Sequence, residues 1–242
     1  MSYLGNTVLI TLAILIGINT SALYSSEEIS VFSLPFDDYK YLIQINGSMG
    51  PAGGQILDLE SGPSFEVSDD DGNISQSSPE FITYTVGISG EMLMDNFGII
   101  LEYDFLSLNE GQSEVVTLSG NFIVGNCFYT GINYHIPFFD NVTPGSFYFG
   151  VKAGFITGTL TPYVTYDQYL GSNPTTINLT GFSVCPELGI NCLINHFIFG
   201  LTLSYYLDYL TAGENLANFY NYSGNAFSIN YLTIGISIGA GF

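Results

Sequence analysis

Charge is what this sequence has least of. Only 10% of its 242 residues are charged, where an average soluble domain carries about 25%, so soluble surface is scarce. The basic residues are two, Lys40 and Lys152, against 22 acidic ones, for a formal charge of −20. A phosphate backbone needs a basic surface that two lysines do not make, which excludes nucleic acid as a partner. Tryptophan is absent and cysteine is sparse. Cys185 and Cys192 fall on opposite faces of any one strand, Cys127 stands apart, and only His135 and His196 are there to join them. Free thiols acting as small hydrophobes are therefore expected, not a disulfide framework or a metal site. Long apolar runs are missing too: Val8 to Gly17 falls short of the ~20 residues a spanning helix needs.

That short run is followed by Asn19-Thr-Ser-Ala22 and then by the polar Ser25-Ser-Glu-Glu28. This is the layout of a secretory signal peptide, although Met1 to Thr7 has no Lys or Arg. Cleavage is expected after Ala22, leaving 23–242 as one exported domain.

What the chain does have is 18 Tyr, 19 Phe and 28 Gly, with Ile and Thr also plentiful, a composition that favours strands and turns. From Phe36 onward, apolar and polar residues alternate with period two in eight blocks separated by Gly/Pro/Asn/Asp/Ser clusters. The blocks run over about 36–47, 81–93, 98–108, 114–136, 146–160, 177–194, 197–209 and from about 227. The last, Leu232-Thr-Ile-Gly-Ile-Ser-Ile-Gly-Ala-Gly-Phe242, alternates without a break. Links after the first, fifth and seventh blocks are long and those after the second, fourth and sixth are short or moderate. Only the third link, 109–113, breaks the order. Long and short links in turn are what a chain threading up and down through a membrane produces.

Two closed architectures fit eight alternating strands. A soluble lipocalin-like carrier turns its apolar faces inward, and a membrane barrel turns them out. The polar faces decide between them. They hold Gly, Ser, Thr and Asn with isolated charges, which suits a narrow lumen, while the opposite faces are apolar and aromatic over most strands. The expected fold class is all-β, an eight-stranded antiparallel up-and-down transmembrane β-barrel. Phe242 with Gly235, Ile238 and Ala240 upstream, together with Phe147-Tyr-Phe-Gly-Val-Lys-Ala-Gly-Phe155, resembles the small outer-membrane barrels of Gram-negative bacteria, the OmpA/OmpX/OmpW type. The resemblance covers the mature chain. It implies an outer-membrane location among lipid and lipopolysaccharide, and a C-terminal strand whose final aromatic is read by the barrel-assembly machinery.

Lys40, Glu91, Glu102, Asp104, Lys152, Glu187 and Asp208 all fall on the lumen register. A charge there needs a partner, so a polar network that plugs the barrel is expected. No cofactor is expected. In the first long link, Asp69, Asp71, Asn73 and Glu80 occupy positions one, three, five and twelve of a calcium-loop spacing. Ile74 stands where that loop needs Gly, so the segment is expected to hold divalent cations only loosely. His135 and His196 lie near short links and show no adjacent Ser/Asp arrangement for nucleophilic catalysis, so no enzyme is expected. Tyr163, Tyr166, Tyr169, Phe219, Tyr220 and Tyr222 in the long links suit a surface-contact, adhesin-like role. A narrow channel for small or apolar solutes is the alternative, with the soluble carrier third.

Overall fold

The computed structural model describes residues 39–60, 65–68, 74–77, 81–110, 121–138, 145–161, 176–194, 196–218 and 223–242. The chain divides into two units, Met1–Phe32 and Ser33–Phe242, and all described residues belong to the second. The signal segment, the four cation-loop residues Asp69, Asp71, Asn73 and Glu80, and the six link aromatics lie outside the described residues.

The strands are β1 (Tyr41–Gly54), β2 (Phe65–Ser68), β3 (Ile74–Ser77), β4 (Phe81–Met94), β5 (Phe97–Glu110), β6 (Asn121–Phe138), β7 (Gly145–Leu160), β8 (Ile177–Ile194), β9 (Phe197–Ala212) and β10 (Ala226–Gly241). A six-residue helix, α1 (Gln55–Glu60), follows β1, and β2 and β3 form a separate two-stranded sheet. The other eight strands pair antiparallel in chain order, and β10 closes against β1. Cα partners lead from Gln44 through Ser89, Glu102, Tyr129, Gly154, Ser183, Asp208 and Ile229 back to β1 at Gly54, a stagger of ten residues. With eight strands, that stagger tilts each strand by about 40° to the barrel axis and leaves a lumen that side chains can fill.

The ladder moves two boundaries. β1 continues to Gly54, although Gly47, Gly50, Pro51 and Gly53 suggested a stop near 47, because β4 and β10 flank it along its length. Gly50 is needed there: a Cβ would strike the backbone of Leu232. β6 begins at Asn121, not near 114, since its pairing with β5 ends at Asn109–Asn121 beside a bulge. The third link is then 111–120, and the exception to the alternation disappears. The strands of the β4–β5, β6–β7 and β8–β9 hairpins are joined at one end of the barrel, and β1 to β4, β5 to β6, β7 to β8 and β9 to β10 at the other. Asp95 turns the first short link with a φ of 52°, a left-handed conformation that Asp tolerates.

In the half nearer the short links, the outward residues are apolar and exposed, as at Ile88, Leu101 (65%), Phe149, Leu188 and Ile236 (66%). Inward, Gln44, Glu91, Glu102, Asn133, Lys152, Glu187 and Ser237 are buried. Water would not tolerate such an exterior, whereas a bilayer requires it. The arrangement also overturns the soluble-carrier alternative, which needed these faces reversed. Phe97, Tyr134 and Phe149 pair across β5–β7 near the short links. Tyr103, Phe128, Phe155, Phe182 and Tyr209 form a row in direct register across β5–β9 further up.

Beyond that second row both faces change character together. On β6–β9 the outward residues become Asn126, Thr157, Thr180 and Thr211, while Phe105 of β5 and Tyr84 and Val86 of β4 stay exposed; the inward ones become Leu106, Leu108, Ile123, Ile156, Leu160, Leu179, Leu210 and Ile229, all buried. On β6–β9 the half nearer the long links is thus patterned polar outside and apolar within. The fold is a closed eight-stranded antiparallel transmembrane β-barrel.

Candidate functional site in the barrel lumen

The polar middle of the lumen is organised around Lys152 on β7. Its Nζ donates to Glu102 Oε1 and Oε2 at 2.8 and 3.0 Å and lies 2.8 Å from Glu187 Oε2. It also sits 5.6 Å from the Tyr129 ring centre and 5.8 Å from that of Tyr206. The lysine stem passes over Gly131 of β6, where a Cβ would meet the Lys152 side chain and the Val151 carbonyl. One ammonium thus joins carboxylates from β5 and β8, at a place where removing any member strands a buried charge.

A second set lies closer to the short links. Glu91 Oε1 accepts from Asn133 Nδ2 (3.0 Å) and pairs with His135 Nε2 (2.8 Å), while His135 Nδ1 contacts Ser146 Oγ at 2.9 Å. Neither histidine has such neighbours along the chain; the fold brings Ser146 from β7 and Glu91 from β4 to His135. The chain Ser146–His135–Glu91 has the residue types of a nucleophilic relay, but Ser146 and His135 are fully buried. The contacts tie β4, β6 and β7 together. A third set, on Gly200, has Gln44 Nε2 donating to Asn191 Oδ1 (3.2 Å) and Ser237 Oγ (3.0 Å).

The remaining lumen candidates are distributed around these sets. Asp104 is buried beside Glu102, over Gly87. Asp208 is buried near Ser183 and Tyr231. Lys40 does not join them: it is exposed just ahead of β1, so its in-register position does not carry it into the lumen. Between the first two sets is a polar cavity of about 40 Å³, lined among others by Ser48, Ser89, Glu91, Glu102, Asn133 and Tyr148, room for about three waters. Among the described residues no group of three His, Cys, Asp or Glu side chains is arranged to hold a metal.

The sequence pointed to polar side chains as the plug, but the ends of the lumen are shut by apolar ones. At the short-link end Tyr39, Leu42, Leu93, Leu193 and Ile198 form a buried cluster. Tyr39 has the same parity as the outward Tyr41. It precedes the ladder and instead turns in, its ring against Gly241 and edge-on to His196 at 6.3 Å. At the long-link end the aliphatic interior is capped by Ile56 and Leu57 of α1 and by Leu216, from a single 3-10 turn at Leu216–Asn218. Gln55 Oε1 accepts from Ser228 N (3.2 Å), tying α1 to β10. These caps were not legible because each is assembled from segments far apart in the chain.

The assembly-signal candidates lie along β10 and just past its end. Ile238 is exposed on the outer wall and Gly235 lines the cavity. Phe242 donates its N–H to Tyr41 O (2.9 Å) and accepts from Tyr41 N (3.0 Å) and Lys40 N (2.7 Å), with its ring exposed.

No protein-family model matches the chain, and no curated protein matches it. Among solved structures it is similar to Neisserial surface protein A, with 11% identity and a TM-score of 0.43 over 84% of this chain and 97% of that one. It is also similar to Ail, the attachment invasion locus protein of Yersinia pestis, solved with the heparin analogue sucrose octasulfate: 11% identity, TM-score 0.35, over 84% of this chain and 99% of that one. Ail solved without that ligand gives 10% identity and a TM-score of 0.33 over the same shares.

Proposed function

We propose that the protein is an integral outer-membrane barrel that displays its long links at the cell surface for contact, and that it does not conduct. Export through the 1–22 signal and assembly through the Phe242 terminus belong to this reading, with the short links on the periplasmic side and the long ones outside. The observation that carries it is the double closure of the lumen, apolar at both ends and ion-paired between them. A pore needs a continuous wet path, and an eight-stranded barrel has none to spare once its interior is packed. What remains for such a barrel to offer is its surface. The links there are acidic and aromatic, suited to a basic or carbohydrate partner or to loosely held divalent cations.

Planar-bilayer recording tests the central part. The purified barrel is expected to insert without a steady open conductance. A stable ion-conducting level would replace this reading with the narrow channel. N-terminal sequencing of the membrane-fraction protein tests the export step, with Leu23 expected first.

A further inference from the structure

The outer wall has a property that the plugged-barrel reading does not use. Not one outward-facing side chain described on the eight barrel strands is charged. Of the two lysines, Lys152 is buried in the lumen and Lys40 lies at the short-link end. At the opposite membrane boundary the wall therefore offers an anionic phosphate no ammonium or guanidinium, the groups by which proteins hold such headgroups.

What it offers is a ladder of neutral hydrogen-bonding groups. Asn126 pairs with Thr157, Thr157 with Thr180 and Thr180 with Thr211, one row across β6–β9. Thr159 and Asn178 begin a second row above it. Directly below is the aromatic row Phe128, Phe155, Phe182 and Tyr209, with Phe182 and Tyr209 stacked at 5.0 Å. Hydroxyls and amides both donate and accept, as sugar hydroxyls do, and aromatic faces suit the apolar side of a sugar ring. Any lipid whose chains lie on the apolar band must place its headgroup against these two rows.

We propose that the β6–β9 face of the outer rim is a binding surface for the neutral sugar headgroup of a membrane glycolipid, held through Thr157, Thr180 and Thr211 above Phe155 and Phe182. This rests on the membrane-spanning reading above. Recognition is by hydrogen bonding and stacking, so it should survive high salt and chelation of divalent cations, which ionic headgroup binding would not.

The test reconstitutes the full-length barrel in phosphatidylcholine nanodiscs doped with equal amounts of a digalactosyl lipid and phosphatidylglycerol of matched chains, and measures the lipids retained by native mass spectrometry. The expected result is a preference for the digalactosyl lipid on the order of tenfold, the weight of one or two net hydrogen bonds. It should be unchanged in 0.5 M salt with EDTA, and should disappear in the T157V/T180V/T211V variant while heat-modifiable migration is kept. Equal retention, a preference for phosphatidylglycerol, a preference that the triple variant keeps, or a dimer with no retained lipid overturns the proposal. A protein that never enters the disc fails the membrane reading instead. Should the triple variant fail to fold, the double variant T180V/F182L carries the same comparison.

Discussion

Replacing Lys152 by methionine leaves Glu102 and Glu187 facing each other in the lumen without their shared cation. The lysine side chain is 3% exposed and both glutamate side chains are 3% exposed, so water does not take over. The loss includes three charge-assisted contacts of 2.8–3.0 Å and the placement over the Tyr129 and Tyr206 rings. Breaking a buried pair by removing one partner costs about 3–5 kcal/mol, most of it the stranded charge. The assay is reversible urea unfolding in lipid vesicles, read by far-UV circular dichroism and by heat-modifiable gel migration. K152M should lower stability by that amount, and the triple variant E102Q/K152M/E187Q should recover most of it, because neutral neighbours no longer repel. A K152M barrel within about 1 kcal/mol of the parent, or a triple variant no better than K152M, would refute the reasoning.

Other expectations follow the same geometry. Gly87→Ala, whose Cβ would meet the Asp104 carboxylate and the Tyr103 carbonyl, should destabilise by about 1–3 kcal/mol. Gly90→Ala, three residues on but facing outward with nothing within 4 Å, should stay within about 0.5 kcal/mol in the same unfolding assay. A double-mutant cycle on Phe182 and Tyr209, stacked at 5.0 Å, should give a coupling of about 0.5–1.5 kcal/mol. Tyr39→Ala removes one closure but leaves the cap formed by Ile56, Leu57 and Leu216, so bilayer recordings of that variant should remain silent. Deleting Phe242 should lower the yield of folded barrel in cells more than it lowers the stability of barrel already formed.

The alternation of a strand is local, and what is local could be read from the sequence. β8 was expected at 177–194 and is found at Ile177–Ile194, because apolar Phe182, Val184, Leu188 and Ile190 on one face oppose polar and small residues on the other throughout. Inward Glu102, Lys152 and Glu187 were placed by the same period. Which of them meet was not legible, since their union depends on the ten-residue stagger and on a glycine, Gly131, in the facing strand. Tyr39 and Lys40 precede β1, and there the alternation of faces no longer holds: Tyr39 is buried and Lys40 exposed. Ser146 joins His135 only through the register in which β4, β5, β6 and β7 pair.

The reversal of both faces above the aromatic row was hidden for another reason. Leu106 and Leu108 follow Asp104 at the same parity, and Thr157 follows Phe155, so the period never breaks while the environment of each face inverts. Alternation says which residues share a face and leaves open what that face touches. A continuous period of two is compatible with lipid outside at one height and water outside at the next.

The absence of tryptophan makes this central claim directly measurable. A single Trp placed at Leu188, Phe182 or Asn178, all outward on β8, is the protein's sole indole, and brominated lipids quench it according to depth. Position 188 should be quenched strongly with blue-shifted emission, 182 at the level of the headgroups, and 178 hardly at all, with the emission of an indole in water. Quenching at 178 equal to that at 188, or none at 188, would contradict a barrel whose wall leaves the membrane at its aromatic row.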